Sequence, residues 1–284
     1  MARHLMLNSE ILPADKPCLF ANNRGLKYGD AFTIALRGNS SKVFLFDQYF
    51  ELFIKYIKKL KMEVPVLFKK SIFETDIELL LQKNRIYQGF KAEVTVFRNA
   101  SETKLSNDNT VSILITVKKT EKEWFQLNSK GLKIDIADWF YIPDFISKNN
   151  IISIFSEELL LSNNLHFADA DQWLLTNEKK IILRTADAVL FCVKGKSVYI
   201  PKTILPNYYK VFANFVLGIL QEFDYQIYKA DITNSDLAEF DELFLVDPVN
   251  GIRWCLAYKE KRYFHKTSEN LLDSINERLQ NNQV

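Results

Sequence analysis

From residue 46 onward the apolar positions recur at helical spacing. Phe46, Phe50, Phe53, Ile54, Ile57 and Leu60 fall on one face, while Lys55, Lys58, Lys59 and Lys61 fill the other. This pattern predicts a helix, with Asp47 placed to cap its start. Thr75-Asp76-Ile77-Glu78 ahead of Leu79-Leu80-Leu81 has the form of a capping box and predicts a second helix opening there. The period then changes to two. Val94 and Val96 alternate with Glu93, Thr95 and Phe97, and Val111, Ile113, Ile115 and Val117 alternate with Ser112, Leu114 and Thr116. Both runs predict strands, with polar residues 99–110 as a loop between them. The first half therefore reads as a sheet with helices packed on one face.

Residues 118–130 are charged and suggest a linker. Beyond Gly131, the alternation of Leu132, Ile134 and Ile136 with Lys133 and Asp135 predicts a new strand, and a helix is expected over 156–165. Short strands are expected over 173–176, 181–183, 188–193 and 197–200, with turns at 177–180 and at Lys194-Gly195. A long helix is expected over 207–222, then strand 225–229, a short helix at 234–239, and strands 242–246 and 253–258. Leu271, Leu272, Ile275 and Leu279 predict a closing amphipathic helix. The expected organisation is an N-terminal α+β domain over 1–118, a linker over 119–130 and a C-terminal α+β domain over 131–284.

With 48% hydrophobic residues over 284 positions, the chain has ample material for a buried core. Its 37 basic and 35 acidic residues give a net charge of +2, and no clustered basic face argues for nucleic acid. Three scattered cysteines (Cys18, Cys192, Cys255) do not make a disulfide framework, and Cys192 and Cys255 sit in apolar runs that read as core. Three isolated histidines and no Cys/His grouping predict no metal site. No apolar targeting segment or membrane-length apolar run occurs, so a cytoplasmic protein without membrane attachment is expected. Only 8 glycines are present, under half the usual share of ~7%. Glycine permits close backbone approach to phosphate, so the chain has little material for a phosphate-cradling loop.

Four segments carry a family likeness. Asn23-Arg24-Gly25-Leu26-Lys27-Tyr28-Gly29-Asp30 resembles the DRG…YGDG signature of class IV pyridoxal-phosphate aminotransferases. KAEVTVFR at 91–98 is similar to that family's paired-arginine strand. LLTNEKKIILRTADAVLF at 174–191 and DELFLVDPVNGIRW at 241–254 resemble two of its later blocks, in the right order. The resemblance covers most of the chain and implies a two-domain α+β architecture of the D-amino-acid aminotransferase type (fold type IV). It implies relatives among branched-chain and D-amino-acid aminotransferases and aminodeoxychorismate lyase. It also implies a homodimer, and pyridoxal phosphate (PLP) or another small molecule bound between the domains.

That cofactor's chemistry needs a lysine that bonds it covalently, a carboxylate that keeps its pyridine nitrogen protonated, and donors for its phosphate. For the lysine, the resemblance offers Lys148, within Pro143-Asp144-Phe145-Ile146-Ser147-Lys148-Asn149-Asn150. Counting back from the 174–191 block without a gap puts the slot at Ile151, and a third register puts it at Ala137. The same block places Arg184 where the family has its ring-nitrogen glutamate. A guanidinium can donate to the ring nitrogen but cannot leave it protonated, so the electron sink is weakened. Arg184 could equally fill a vacated pocket or pair with an acid such as Asp187.

The phosphate groups depart from the family as well. The arginine of the first helix is matched by Leu52, and a glycine at a helix start by Tyr208. The family's Thr-Asn pair is matched by Val246-Asp247, the last Gly of YGDG by Ala31, and an asparagine by Val189. These losses predict weak or absent PLP binding and an impaired or inactive member of the family. The alternative is an active, divergent PLP-dependent lyase or aminotransferase similar to aminodeoxychorismate lyase, using Lys148. A third reading is a racemase-like activity assisted by Arg184. Tyr28, Tyr141, Tyr208, Tyr209 and the tryptophans could line a cleft, although such residues more often fill cores.

Overall fold

The computed structural model describes residues 3–101, 107–143, 170–202 and 208–281. Contacts divide the chain into two units, Met1–Trp124 and Phe125–Val284. No helix among the described residues is long and apolar enough to cross a membrane.

The first unit is built on one antiparallel sheet. Its strands are β1 (His4–Leu7), β2 (Glu10–Pro13), β3 (Ala31–Asn39), β4 (Lys42–Val43), β5 (Phe90–Arg98) and β6 (Val111–Lys119), in the order β2-β1-β6-β5-β3-β4. Ala92, Val94 and Val96 on β5 and Ile34 and Leu36 on β3 are fully buried, which fixes the register of the central pair. Three helices accompany the sheet: α1 (Arg24–Tyr28), α2 (Phe46–Lys59) and α3 (Lys70–Lys83). Phe46, Phe50 and Phe53 of α2 join Phe68 and Phe73 in one ring cluster, with centroids 5.1–6.3 Å apart. Phe32 of β3 meets Phe53 and Tyr56, tying α2 to the sheet.

Two expected helix starts are corrected. Asp47 lies inside the first turn of α2 rather than capping it; the cap position is Leu45, in the left-handed region at φ 54°. Asp47 is placed where a carboxylate complements the helix dipole, and it pairs with Lys70 at 2.7 Å. Thr75-Asp76-Ile77-Glu78 does not open α3, which begins at Lys70. The Thr75 hydroxyl is already one turn inside the helix and donates to the Ser71 carbonyl at 2.9 Å.

The second unit carries a mixed sheet, nine-stranded among the described residues. Its path is β12 (Gln226–Ala230), β11 (Ser197–Pro201), β10 (Val189–Lys194), β13 (Glu242–Asp247), β14 (Gly251–Tyr258), β7 (Leu132–Tyr141), β8 (Gln172–Thr176), β9 (Ile182–Thr185), with β15 (Lys261–Arg262) paired to β14. β10 and β13 lie centrally and are buried almost throughout, which explains why they read as unbroken apolar runs instead of alternating ones. Helix α4 (Tyr209–Glu222) packs on β13, and α5 (Lys266–Gln280) packs on α4 and β14. A 3-10 turn at Asp236–Glu239 precedes β13. The helix expected over 156–165 lies outside the described residues.

The start of α5 has an unusual anchor. Glu242 is 3% exposed and accepts from the amides of Thr267 (2.8 Å) and Ser268 (2.7 Å) and from the Ser268 hydroxyl (2.5 Å). A carboxylate from β13 thus satisfies amides that the helix cannot, at the end where its dipole favours negative charge.

Candidate functional site

The glycine-containing segment at 23–30 closes on itself. Asn23 caps α1 by accepting from the Leu26 amide at 3.1 Å, and Gly29 ends it in the left-handed region at φ 64°. That conformation accounts for the glycine. Arg24 pairs with Asp30 at 2.8 Å and donates to the Asp108 carbonyl at 3.1 Å. Arg98, at the end of β5, reaches the other oxygen of Asp30 at 3.2 Å and donates to Asn109 and to the Leu60 carbonyl. One carboxylate therefore joins two buried arginines, and the charged members of this motif satisfy one another. Tyr28 is 40% exposed.

In the second unit, Arg184 stands on β9 opposite Leu175 of β8 and is 4% exposed. One guanidinium nitrogen donates to the carbonyls of Thr185 (2.8 Å) and Ala186 (2.7 Å). Asp187, named as one possible partner for Arg184, is engaged by another arginine. It accepts from Arg253 at 2.8 Å, and the same arginine nitrogen lies 3.2 Å from Asp247.

Asp247 is 2% exposed. Its Oδ1 accepts from the amides of Val249 (2.9 Å) and Asn250 (2.8 Å), and the Asn250 side-chain amide lies 3.2 Å from both oxygens. Burial raises the Asp247 carboxyl above the ordinary carboxylate range. Arg253 and the two amides pull against that shift, and Asp187 adds to it. Burial alone would lower Arg253, but the two carboxylates outweigh it and push its pKa further up. The three side chains form a closed ionic group spanning β14, the β13 end and the turn after β9.

The remaining predicted positions are apolar or aromatic in their surroundings. Val189 and Val246 are Cα partners across β10 and β13, and both are fully buried. Leu52 is half-buried on α2. Tyr208 packs on the buried Tyr209 with ring centroids 4.3 Å apart. Ala137 lies in an apolar cluster with Ile142, Leu175 and Leu183, so one of the three registers for the lysine ends in a methyl group. Lys148 and Ile151 lie outside the described residues. Among the described residues no group of three or more His, Cys, Asp or Glu side chains could hold a metal ion. The ionic group of Asp187, Asp247 and Arg253 has no counterpart in the sequence reading.

This pairing of a six-stranded antiparallel unit with a mixed-sheet unit is the fold of solved branched-chain aminotransferases and a lyase relative. A branched-chain aminotransferase from Thermoproteus uzoniensis, solved with norvaline, superposes with a TM-score of 0.85 at 12% identity, over 98% of this chain and 95% of that one. The enzyme from Thermobaculum terrenum, solved in its PLP form, gives 0.82 at 13%, over 98% and 94%. A Legionella pneumophila protein assigned as 4-amino-4-deoxychorismate lyase gives 0.78 at 17%, over 93% and 96%. At such identities the likeness carries the fold alone. No curated protein sequence matches significantly. The profile of the family described as amino-transferase class IV matches residues 32–256, and the chain belongs to that family.

Proposed function

We propose that this is a class IV aminotransferase-fold protein with a degenerate cofactor site, in which transamination is impaired or lost. The observation that carries the reading is Arg184. The family resemblance gives its position to the carboxylate that protonates the cofactor ring. Here a buried guanidinium stands there and donates to two backbone carbonyls. A permanently protonated group does not sustain a protonated pyridine, so the residue does not fit the cofactor's electronic need. Asp247 supports the same reading. It takes the place of an asparagine near the expected phosphate, is buried, and is already neutralised by Arg253. A phosphate dianion beside it would meet a carboxylate whose cation is engaged, and desolvating two anions together costs several kcal/mol.

The resemblance also supports a homodimer in the cytoplasm, with a small molecule as the ligand retained by the fold. The second reading is an active PLP-dependent lyase or aminotransferase using Lys148, favoured by the likeness to the Legionella lyase relative. Titrating the purified chain with PLP separates the two. The degenerate reading expects no stoichiometric visible band that borohydride bleaches. A band present in the native chain and absent from Lys148→Ala, together with turnover of an amino-acid or aminodeoxychorismate substrate, establishes the second reading instead.

A further inference from the structure

The first unit contains a cavity of about 270 Å3 that the cofactor chemistry does not use. Its walls are apolar: Phe68 and Phe73 on one side, Val111, Ile113 and Ile115 of β6 on the other. Val66 and Leu67 line it too, and they are 83% and 58% exposed. Side chains of this kind lose favourable burial by facing water. An occupant covering them would recover it. The size suits one ring with a short chain: an apolar cavity of about 150 Å3 takes benzene, and ligand pockets begin near 300 Å3.

The polar end is built by the β1–β2 turn and α3. Asn8 and Ser9 sit in the left-handed region at φ 52° and 67°. Asn8 is fully engaged with β6, donating to the Ser112 hydroxyl at 3.0 Å and accepting from the Ile113 amide at 2.9 Å. Ser9 donates to Asp76 at 2.6 Å. Among the described residues, Asp76 is the only charged side chain in the lining, and no ion pair involves it. A lone, half-buried carboxylate at one end of an apolar cavity gives the space a negative potential, concentrated by its low-dielectric walls.

We infer that this cavity binds a small primary amine with an apolar body. The ammonium meets Asp76 beside Ser9, and the body lies between Phe68, Phe73 and β6. The inference is independent of the cofactor reading, since none of the residues it uses is among the positions matched to the cofactor site.

The test is calorimetric titration of the full chain with 2-phenylethylamine, 2-phenylethanol and 3-phenylpropanoate. The amine is expected to bind saturably in the millimolar range or tighter, about fivefold to tenfold more tightly than the alcohol, with the carboxylate weakest. Asp76→Asn is expected to abolish the preference for the amine over the alcohol. Val66→Lys, at a mostly solvent-facing position that leaves the core untouched, is expected to weaken the amine by placing a cation beside its path. Circular dichroism and the thermal midpoint verify that both variants are folded. No saturable amine binding, equal affinity for amine and alcohol, or a preference that survives Asp76→Asn each overturns the inference.

Discussion

Arg253 lies 3.2 Å from Asp247, and the two are 15% and 3% exposed in their side chains. Each is the reason the other is tolerated there. A buried carboxylate without its cation keeps only the hydrogen bonds from Val249 and Asn250. Arg253→Met is therefore expected to destabilise the second unit by about 3 kcal/mol, because it strands a buried charge. Adding Asp247→Asn should restore most of that loss, since the amide oxygen still accepts from the turn and the only charge left in the group is that of Asp187, which reaches water. A double-mutant cycle in urea measures this, and additive costs would contradict the pairing. The variant's pH dependence has a definite sign. Without Arg253, Asp247 protonates more readily in the fold than in the unfolded chain. The native state then holds more protons, and the single variant is least impaired in acid and loses stability as pH rises.

Glu242 joins β13 to the start of α5 through two amides and one hydroxyl. Glu242→Gln keeps the shape but loses the charge and offers one acceptor oxygen instead of two. The expected cost is about 2–3 kcal/mol, in the range for hydrogen bonds to a charged group. Hydrogen exchange at Thr267 and Ser268 should accelerate selectively. If those amides stay protected while global stability drops, the carboxylate acts through packing and not as a cap.

The central strands are legible in the sequence because position in the sheet leaves a mark on it. β10 and β13 are covered on both faces, so their residues are apolar without alternation. β3 escapes the pattern although Phe32, Ile34 and Leu36 alternate, because Ala31, Thr33 and Ala35 between them are small and blur the contrast with the apolar face. The start of α3 is misleading because Thr75 and Glu78 have capping-box spacing. That spacing also fits a helix interior, where the hydroxyl bonds back to Ser71. Arg184 stands out only through family resemblance, since a lone arginine in a strand carries no signal of its own. The Asp187–Arg253 pair bridges 66 positions, and neither residue belongs to a motif that names the other. Such long-range charge pairing becomes visible only when the sheet has brought β14 beside the turn after β9.

Cysteine reactivity tests the burial of the second unit's core. Cys192 and Cys255 are fully buried, and Cys18 is partly exposed. Burial pushes the Cys255 thiol up to about 12, despite the pull of Arg253, and raises Cys192 as well. Iodoacetamide at pH 8 is expected to label Cys18 alone in the native chain and all three in denaturant, read by mass spectrometry. The linkage follows: unfolded thiols lose protons first, so stability falls as pH climbs past the ordinary value of 9.0 toward the raised one. Cys255→Ala should flatten that alkaline slope.

Asp30 holds Arg24 at 2.8 Å and Arg98 at 3.2 Å, with the arginine side chains 8% and 10% exposed and its own 25% exposed. A carboxylate that serves two buried cations has a structural task whatever chemistry the chain performs. Removing it leaves Arg24 with the Asp108 carbonyl, and Arg98 with Asn109 and the Leu60 carbonyl. Those acceptors satisfy hydrogens, and the only charge compensation named beside them is the weaker field of the exposed Asp108 carboxylate. Asp30→Ala is expected to cost about 2 kcal/mol, less than a fully buried pair because water reaches the carboxylate. Asp30→Asn should cost less, since an amide oxygen can still accept from one guanidinium. Raising salt should narrow the gap between native chain and alanine variant only slightly, because the arginines are shielded from solvent. A gap that closes fully by about 1 M salt, where screening reaches only a few ångströms, would make the network an exposed ion pair, and the two arginines would then owe their places to something other than Asp30.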